Sequence, residues 1–589
     1  MNRYIFPFIM TLLSITANAQ VHAQVLIDGL RYNLYQDHTA EIASYNKAFG
    51  HLVIPETVEH EGNTYLVTGI GHRAFDQAEE LFSVVIPKSV THIDYGAFLS
   101  CSKLTSVYLS ENLDTIGSHA FEMCKALTSI NFPESLKSIK ELAFQGCTSL
   151  TSIFIPKNVT ELASKGEEAW SYYKTMPPFM GCENITSVEV DESNPIYDSR
   201  DDCNAIIETT TNTIVYSCKT TTIPTTVTAI GNYAYAGFDF TSFIIPDNIT
   251  TIGYYSFSNC KNLTEMAIPN NVVSIGVSAF EGCSALKILQ IGTKVREIGH
   301  ASFRGCSSLA SVSLPDGLTT IRGAAFQNCL SLTSISLPNS LTTIEGLAFN
   351  NCLNLTSISL PNSLTTIGGH AFSGCLSLTS IEIGNGLSSI TGFNNTGLKF
   401  VDIPSNIVTI GECAFMECKN LTEVIFHEGL TTIEREAFHN CDNYTDVIFP
   451  STITEIGEYS FQGYKDKTVT CYAETIPIAH CYDSKLMNSF ANPFMNKTTD
   501  KSFATTLTVP DVALQEYAKT YPWNEFGTIM SFSGEIADLD FLGIKTTEVS
   551  GDARETARYS IDGRRLSHPQ KGINIIRMSD GTVRKVLEK

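Results

Sequence analysis

The amino-acid sequence predicts a repeat solenoid, a stack of about 15 short β-strand coils that is mostly strand and irregular structure and is capped at both ends. Three observations predict it. The stretch LTSISLPNSLTTIEGLAFNNC at 332–352 returns almost letter for letter as LTSISLPNSLTTIGGHAFSGC at 355–375. Phenylalanines recur at a step of 23 residues: Phe75, Phe98, Phe121 and Phe144, then Phe257, Phe280, Phe303, Phe326, Phe349 and Phe372, then Phe415, Phe438 and Phe461. Cysteines follow in phase at Cys101, Cys124, Cys147, Cys260, Cys283, Cys306, Cys329, Cys352, Cys375, Cys418 and Cys441.

Within the coil at 332–352, Ile335 and Leu337 alternate with Ser334 and Ser336, the period of a strand with one buried face. Pro338 cannot donate to a ladder and ends that strand. Asn339 and Ser340 turn the chain, Leu341 to Ile344 forms a second extended stretch, and Gly346 to Cys352 closes the coil as a turn or partial helix. One coil alone would not fold. Its apolar side chains gain about 1.5–3 kcal/mol each on burial, while ordering costs about 1–2 kcal/mol for every residue of the coil. Stacking makes up the difference, because each coil then buries both flat sides against neighbours.

The in-phase cysteines are expected to form a buried structural column. Neighbours in it lie one strand spacing apart, about 4.8 Å, with parallel side-chain directions, whereas a disulfide needs Cβ atoms about 3.8 Å apart and angled together. The column is therefore read as free thiols acting as small apolar groups. Cys203 with Cys218, and Cys471 with Cys481, are local pairs in irregular segments, open to either a bridge or free thiols.

The pattern L-T-S-I-x-L-P-x-S-L-T-x-I-G-x-x-A-F-x-G-C resembles the BspA-like, or Treponema-type, leucine-rich repeats over residues 52–467. The resemblance implies a leucine-rich-repeat stack on a surface protein of host-associated anaerobic bacteria, the Bacteroidetes among them. Members of that family are proposed to attach to host matrix proteins or epithelial cells.

Outside the repeats, MNRYIFPFIMTLLSITANAQ reads as a signal peptide over 1–19, with Arg3, an apolar run and an Ala17-Asn18-Ala19 cleavage site; cleavage after Ala23 competes. Residues 20–51 read as an N-terminal cap, 468–530 as a C-terminal cap containing Trp523, and 531–553 as a linker. Residues 554–589 read as a small β tail with turn signals at Asp562-Gly563 and Asp580-Gly581, either a sorting or attachment segment or a β-module without that role. The period breaks at 160–235, where an insertion carries Trp170, Tyr172, Tyr173, Met176, Phe179 and Met180, and at the short repeat 388–400, which lacks its cysteine. The insertion reads either as a contact loop or as a plug over its own coil. The acidic residues from Asp191 to Asp202 lack the spacing of a calcium loop and read as a solvated turn.

A formal charge of -22 disfavours nucleic acid and anionic lipid as partners. Beyond the leader no stretch is apolar and long enough to span a bilayer. H-E-x-x-H, G-x-S-x-G and phosphate-loop motifs are all missing, so no enzyme activity, cofactor or metal site is expected. Binding is sought on the outward strand position, which runs Val85, Tyr108, Asn131, Phe154, Ile244, Ala267, Gln290, Ser313, Ser336, Ser359, Glu382, Asp402, Ile425 and Ile448. Tyr108, Phe154, Trp170, Tyr172 and Tyr173 are the candidate ligand-binding residues. The expected function is secretion or cell-surface display with non-covalent binding, by adhesion to or recognition of a host protein or cell. The alternative is a glycan-binding or scaffold component of a surface nutrient-capture system.

Overall fold

The computed structural model describes residues 21–44, 47–163, 176–444, 446–462, 468–480, 483–484, 489–490, 494, 506–537, 555–560, 565–569, 572–578 and 583–588. The leader at 1–19, Trp170, Tyr172, Tyr173, Cys481 and the tail's two turn dipeptides lie outside the described residues.

Most regular coils give two short strands to two parallel ladders, but the first stretch forms no paired strand at 127–132, 239–245 and 331–337, against the strand expected at Ile335 and Leu337, so the first ladder is divided into short sheets. First strands pair in register, as Glu265–Ala267 with Ile288–Gln290 and then Ser311–Ser313. Second strands do the same, as Thr320–Ile321 with Thr343–Ile344 and Thr366–Ile367. Between them Pro338 closes a turn, its carbonyl accepting the Leu341 amide at 3.0 Å. A third ladder joins the turns that end each coil, with the Phe326 amide donating to Ala348 O at 2.8 Å and the Phe349 amide to Ala371 O at 2.7 Å. The stack has about 20 turns rather than about 15. The excess comes from segments read as caps and insertion that continue the ladders: Thr468–Cys471, Thr506–Val509 and Thr528–Ser531 extend the first-strand sheet.

Every consensus letter has a physical role. The phenylalanines are fully buried and stack on one another, with centroids 5.0 Å apart for Phe98–Phe121 and for Phe257–Phe280. The in-phase cysteines are buried and free. Each donates its thiol to the carbonyl of the ring residue one coil back, as Cys352 Sγ does to Phe326 O at 3.3 Å and Cys260 Sγ to Tyr235 O at 3.2 Å. The threonine of L-T-S-I bonds down the stack, Thr356 Oγ1 to Thr333 O at 3.2 Å. The serine after P-N satisfies a carbonyl of the preceding coil, Ser363 Oγ to Leu341 O at 2.7 Å. From Phe75 to Phe438 the residue two after each in-phase phenylalanine is left-handed, which explains the glycines and asparagines there: Gly305 (φ 74°), Gly374 (φ 76°), Asn351 (φ 59°), Asn440 (φ 61°).

At three places the structure goes beyond the sequence reading. Phe179 is not an insertion aromatic but the next rung of the ring column, 5.3 Å from Phe144, and Cys182 joins the thiol column through Phe144 O at 3.1 Å. In the short repeat the ring column continues through Phe393, 4.9 Å from Phe372, and Thr396 stands where the cysteine is lost, 3.1 Å from Cys418 Sγ. Cys203 and Cys218 are not bridged. They face different cores, Cys203 the one that runs to the C-terminal side and Cys218 the one that starts at Leu30. Cys471 is also free and lies 3.2 Å from the Tyr517 hydroxyl.

At the N-terminus Val21–Ile27, Leu30–Tyr35 and Thr39–Ile42 form an antiparallel meander, whose last strand pairs parallel with Asn63–Ile70. At the other end, helix Leu514–Lys519 and Trp523 close over the ladder, the indole donating to Pro477 O at 3.1 Å. Glu555–Ser560, Arg565–Leu566, Gly572–Met578 and Val583–Glu588 form a separate four-stranded antiparallel sheet.

Two outcomes are expected. A Cβ at Gly305 would meet nothing closer than 3.7 Å, so only its positive φ resists substitution. Gly305→Val should cost about 1–2 kcal/mol in urea unfolding, and Gly305→Asn clearly less. Burial pushes the Cys124 and Cys306 thiols well above their ordinary value of 9.0, and Cys418 up to about 11. The folded state thus holds thiol protons that the unfolded chain releases. The thiol contribution to stability should be flat below about pH 8 and fall as pH rises past about 9, and thiol reagents should label the column only after denaturation.

Candidate functional site

Strand alternation decides what the first-strand sheet shows to solvent. Val84, Val107 and Ile153 point into the core, so their neighbours Val85, Tyr108 and Phe154 point out. Val53, Val85 and Tyr108 are in register on adjacent strands, and Phe154 pairs with Glu189. They are large and open to solvent: Val53 is 68%, Tyr108 63% and Phe154 45% exposed. Further along, the same position carries small or polar groups from Ala267 to Asp402, and apolar residues return at Ile425 and Ile448. The result is an apolar stretch over the N-terminal coils, interrupted by Asn131 and Glu189 and reaching Ile244, which is 87% exposed, before a small and polar middle.

Of the five candidate contact residues, the structure places Tyr108 and Phe154 outward on first strands of two separate short sheets, Tyr108 beside Val85 and Phe154 beside Glu189. The insertion leaves after Ala163, just past the second strand Glu161–Leu162, and the chain rejoins the stack at the turn beginning with Pro177. Its roots are therefore on the second-strand and turn side of the coil, not on the sheet that carries Tyr108.

Beside those roots the turn ladder is interrupted. Phe144 and Gly146 donate to Pro178 O and Met180 O at 2.8 and 2.9 Å, and the next turn-to-turn bond is Tyr233 to Tyr254 O at 2.9 Å. The coil between them replaces its turn with the hairpin Ala205–Glu208 and Thr213–Ser217, from which Tyr216 packs edge-on against Phe179 at 5.6 Å. Two cavities flank Tyr216, one of about 190 Å³ against Met180 and Phe238 and one of about 340 Å³ against Leu162 and Tyr197.

Among the described residues one group of metal-ligating types converges: Glu41, His92 and Asp94, with a ligand atom from each within 4.8 Å of the others. Burial raises Asp94 to about 6, with Glu41 adding to the rise and His92 opposing it. The nearby Glu41 carboxylate holds the His92 imidazole above its ordinary value despite burial. Sequence reading missed this group because Glu41 belongs to the cap. A signal was present, however: the second strand reads His-Ile-Asp at 92–94, where the next coil reads Thr-Ile-Gly at 115–117.

Two parallel ladders, a turn ladder and a column of stacked rings define a leucine-rich-repeat solenoid, a binding-scaffold architecture. The model of the BspA type leucine rich repeat region matches residues 46–174, 206–332, 278–392 and 389–508, in 6 copies, and the chain belongs to that family. Among solved structures it is similar to a leucine-rich repeat protein from Bacteroides ovatus, 28% identical over 64% of this chain and 94% of that one, with a TM-score of 0.40. One from Eubacterium ventriosum is 26% identical over 61% and 96%, with a TM-score of 0.46. A leucine rich cell surface protein from Faecalibacterium prausnitzii is 26% identical over 61% and 94%, with a TM-score of 0.36. No curated protein matches the chain. Among the described residues no helix is long and apolar enough to cross a membrane.

Proposed function

We propose that this is an exported, surface-displayed repeat protein that acts by non-covalent binding, through adhesion to or recognition of host proteins or cells. The observation that carries this reading is the apolar stripe Val53, Val85, Tyr108 and Phe154. It stands outward on the first-strand face, whose middle coils are small and polar, and it lacks the packing role of the inward positions. Exposed aromatic groups framed by polar surface are common anchors of protein partners. Family membership and the leader-like first 19 residues support display at the surface.

The test uses the chain from residue 20 onward against immobilised host matrix proteins and epithelial cells. Saturable binding is expected, weakened about tenfold or more by Tyr108→Ala with Phe154→Ala, at unchanged thermal stability because both side chains are exposed. Removing 164–175 tests Trp170, Tyr172 and Tyr173 separately: weakened binding would add them to the contact, and unchanged binding would confine it to Tyr108, Phe154 and their neighbours. Wild-type affinity in the double variant would reject the site. A glycan-array signal without protein binding would instead favour the nutrient-capture role.

A further inference from the structure

The N-terminal cap touches the stack where Glu41, on strand Thr39–Ile42, meets His92 and Asp94 of the coil at 92–94. Glu41 Oε1 and His92 Nε2 are 3.8 Å apart, too far for a hydrogen bond. That separation suits two ligands of one ion bound at about 2.0–2.2 Å each. We propose that Glu41, His92 and Asp94 bind Zn²⁺, which clamps the cap to the repeat stack.

Three further features support the assignment. The atoms of Glu41 and His92 that face away from the convergence point are already held: the Tyr35 hydroxyl donates to Glu41 Oε2 at 2.7 Å, and His92 Nδ1 lies 3.3 Å from Thr91 Oγ1. Outer partners of this kind orient metal ligands. Space for the ligands is provided by glycine. A Cβ at Gly69 would come within 2.3 Å of His92 Nε2, and one at Gly71 within 2.8 Å of Glu41 Oε1. Finally, two partly buried carboxylates share the site with one imidazole, an arrangement whose mutual repulsion a cation relieves. One nitrogen and two carboxylate donors, with no thiolate, suit zinc and its neighbours among the divalent transition metals, and three protein ligands leave a position for water.

The test titrates the chelator-treated full chain with Zn²⁺ by calorimetry and with Co²⁺ by visible absorption. Expected are one equivalent of Zn²⁺ in competition with Co²⁺, a metal-dependent rise in melting temperature, and ligand-field bands of a low-coordinate Co²⁺ site. His92→Ala and Glu41→Gln should each weaken binding by about 100-fold or more, and Tyr35→Phe by about tenfold. Gly69→Ala keeps every ligand but fills the space beside His92, and it should also abolish the site. Equal zinc affinity in wild type, His92→Ala and Gly69→Ala, or no Zn²⁺ or Co²⁺ binding by the wild type, would overturn the assignment. So would Ca²⁺ or Mg²⁺ binding that does not depend on His92. Circular dichroism of each variant separates loss of metal from loss of fold.

Discussion

Everything in this molecule follows from one constraint: each coil must meet the next in register at three places at once, two strand ladders and a turn ladder. A residue is therefore stacked on its counterpart in the next coil, and only side chains that tolerate their own kind can occupy a position throughout. Phenylalanine does so by ring stacking, threonine by bonding to the carbonyl beneath, and cysteine by donating to a carbonyl while filling a small apolar space. Charge is the difficult case, because identical charges one spacing apart repel. At several positions the chain places opposite signs on adjacent coils. Lys103 meets Glu80 at 2.5 Å, Lys137 meets Asp114 at 2.6 Å and Arg322 meets Glu345 at 2.8 Å, each pair one period apart.

The same constraint explains what could be read in the sequence. Phe349, Cys352 and Pro338 were legible because they repeat at fixed spacing and each has a local reason to do so. Phe179 and Cys182 obey the same rules in P-F-M-G-C, but twelve additional residues shift their phase and hide them from a count of 23. Thr396 was hidden differently: it keeps the cysteine's place without its letter. Cys203 and Cys218 show the limit of proximity along the chain. They flank a hairpin, and alternation in strands sends neighbours to opposite faces, so a short separation says little about which core a side chain enters.

Sites that join the periodic and non-periodic parts are the least legible. Glu41 comes from a cap with no repeat to compare, and its partners are seen only as two departures in one coil. Tyr108 and Phe154 were easier, because an outward position in a known register is free to vary and any large apolar residue there stands out against serine. The residues that depart from the repeat, inward at the cap and outward on the sheet, are those left for chemistry and recognition once the packing requirements are met.

The hairpin coil that separates Cys203 from Cys218 also divides the interior into two hydrophobic blocks, one on each side. The strands Ala205–Glu208 and Thr213–Ser217 carry both, with Ala205, Ile207 and Ile214 entering one core and Ile206 and Tyr216 the other. A repeat stack divided in this way is expected to come apart in two steps, one half unzipping under heat or a pulling force while the other keeps its shape and whatever it holds.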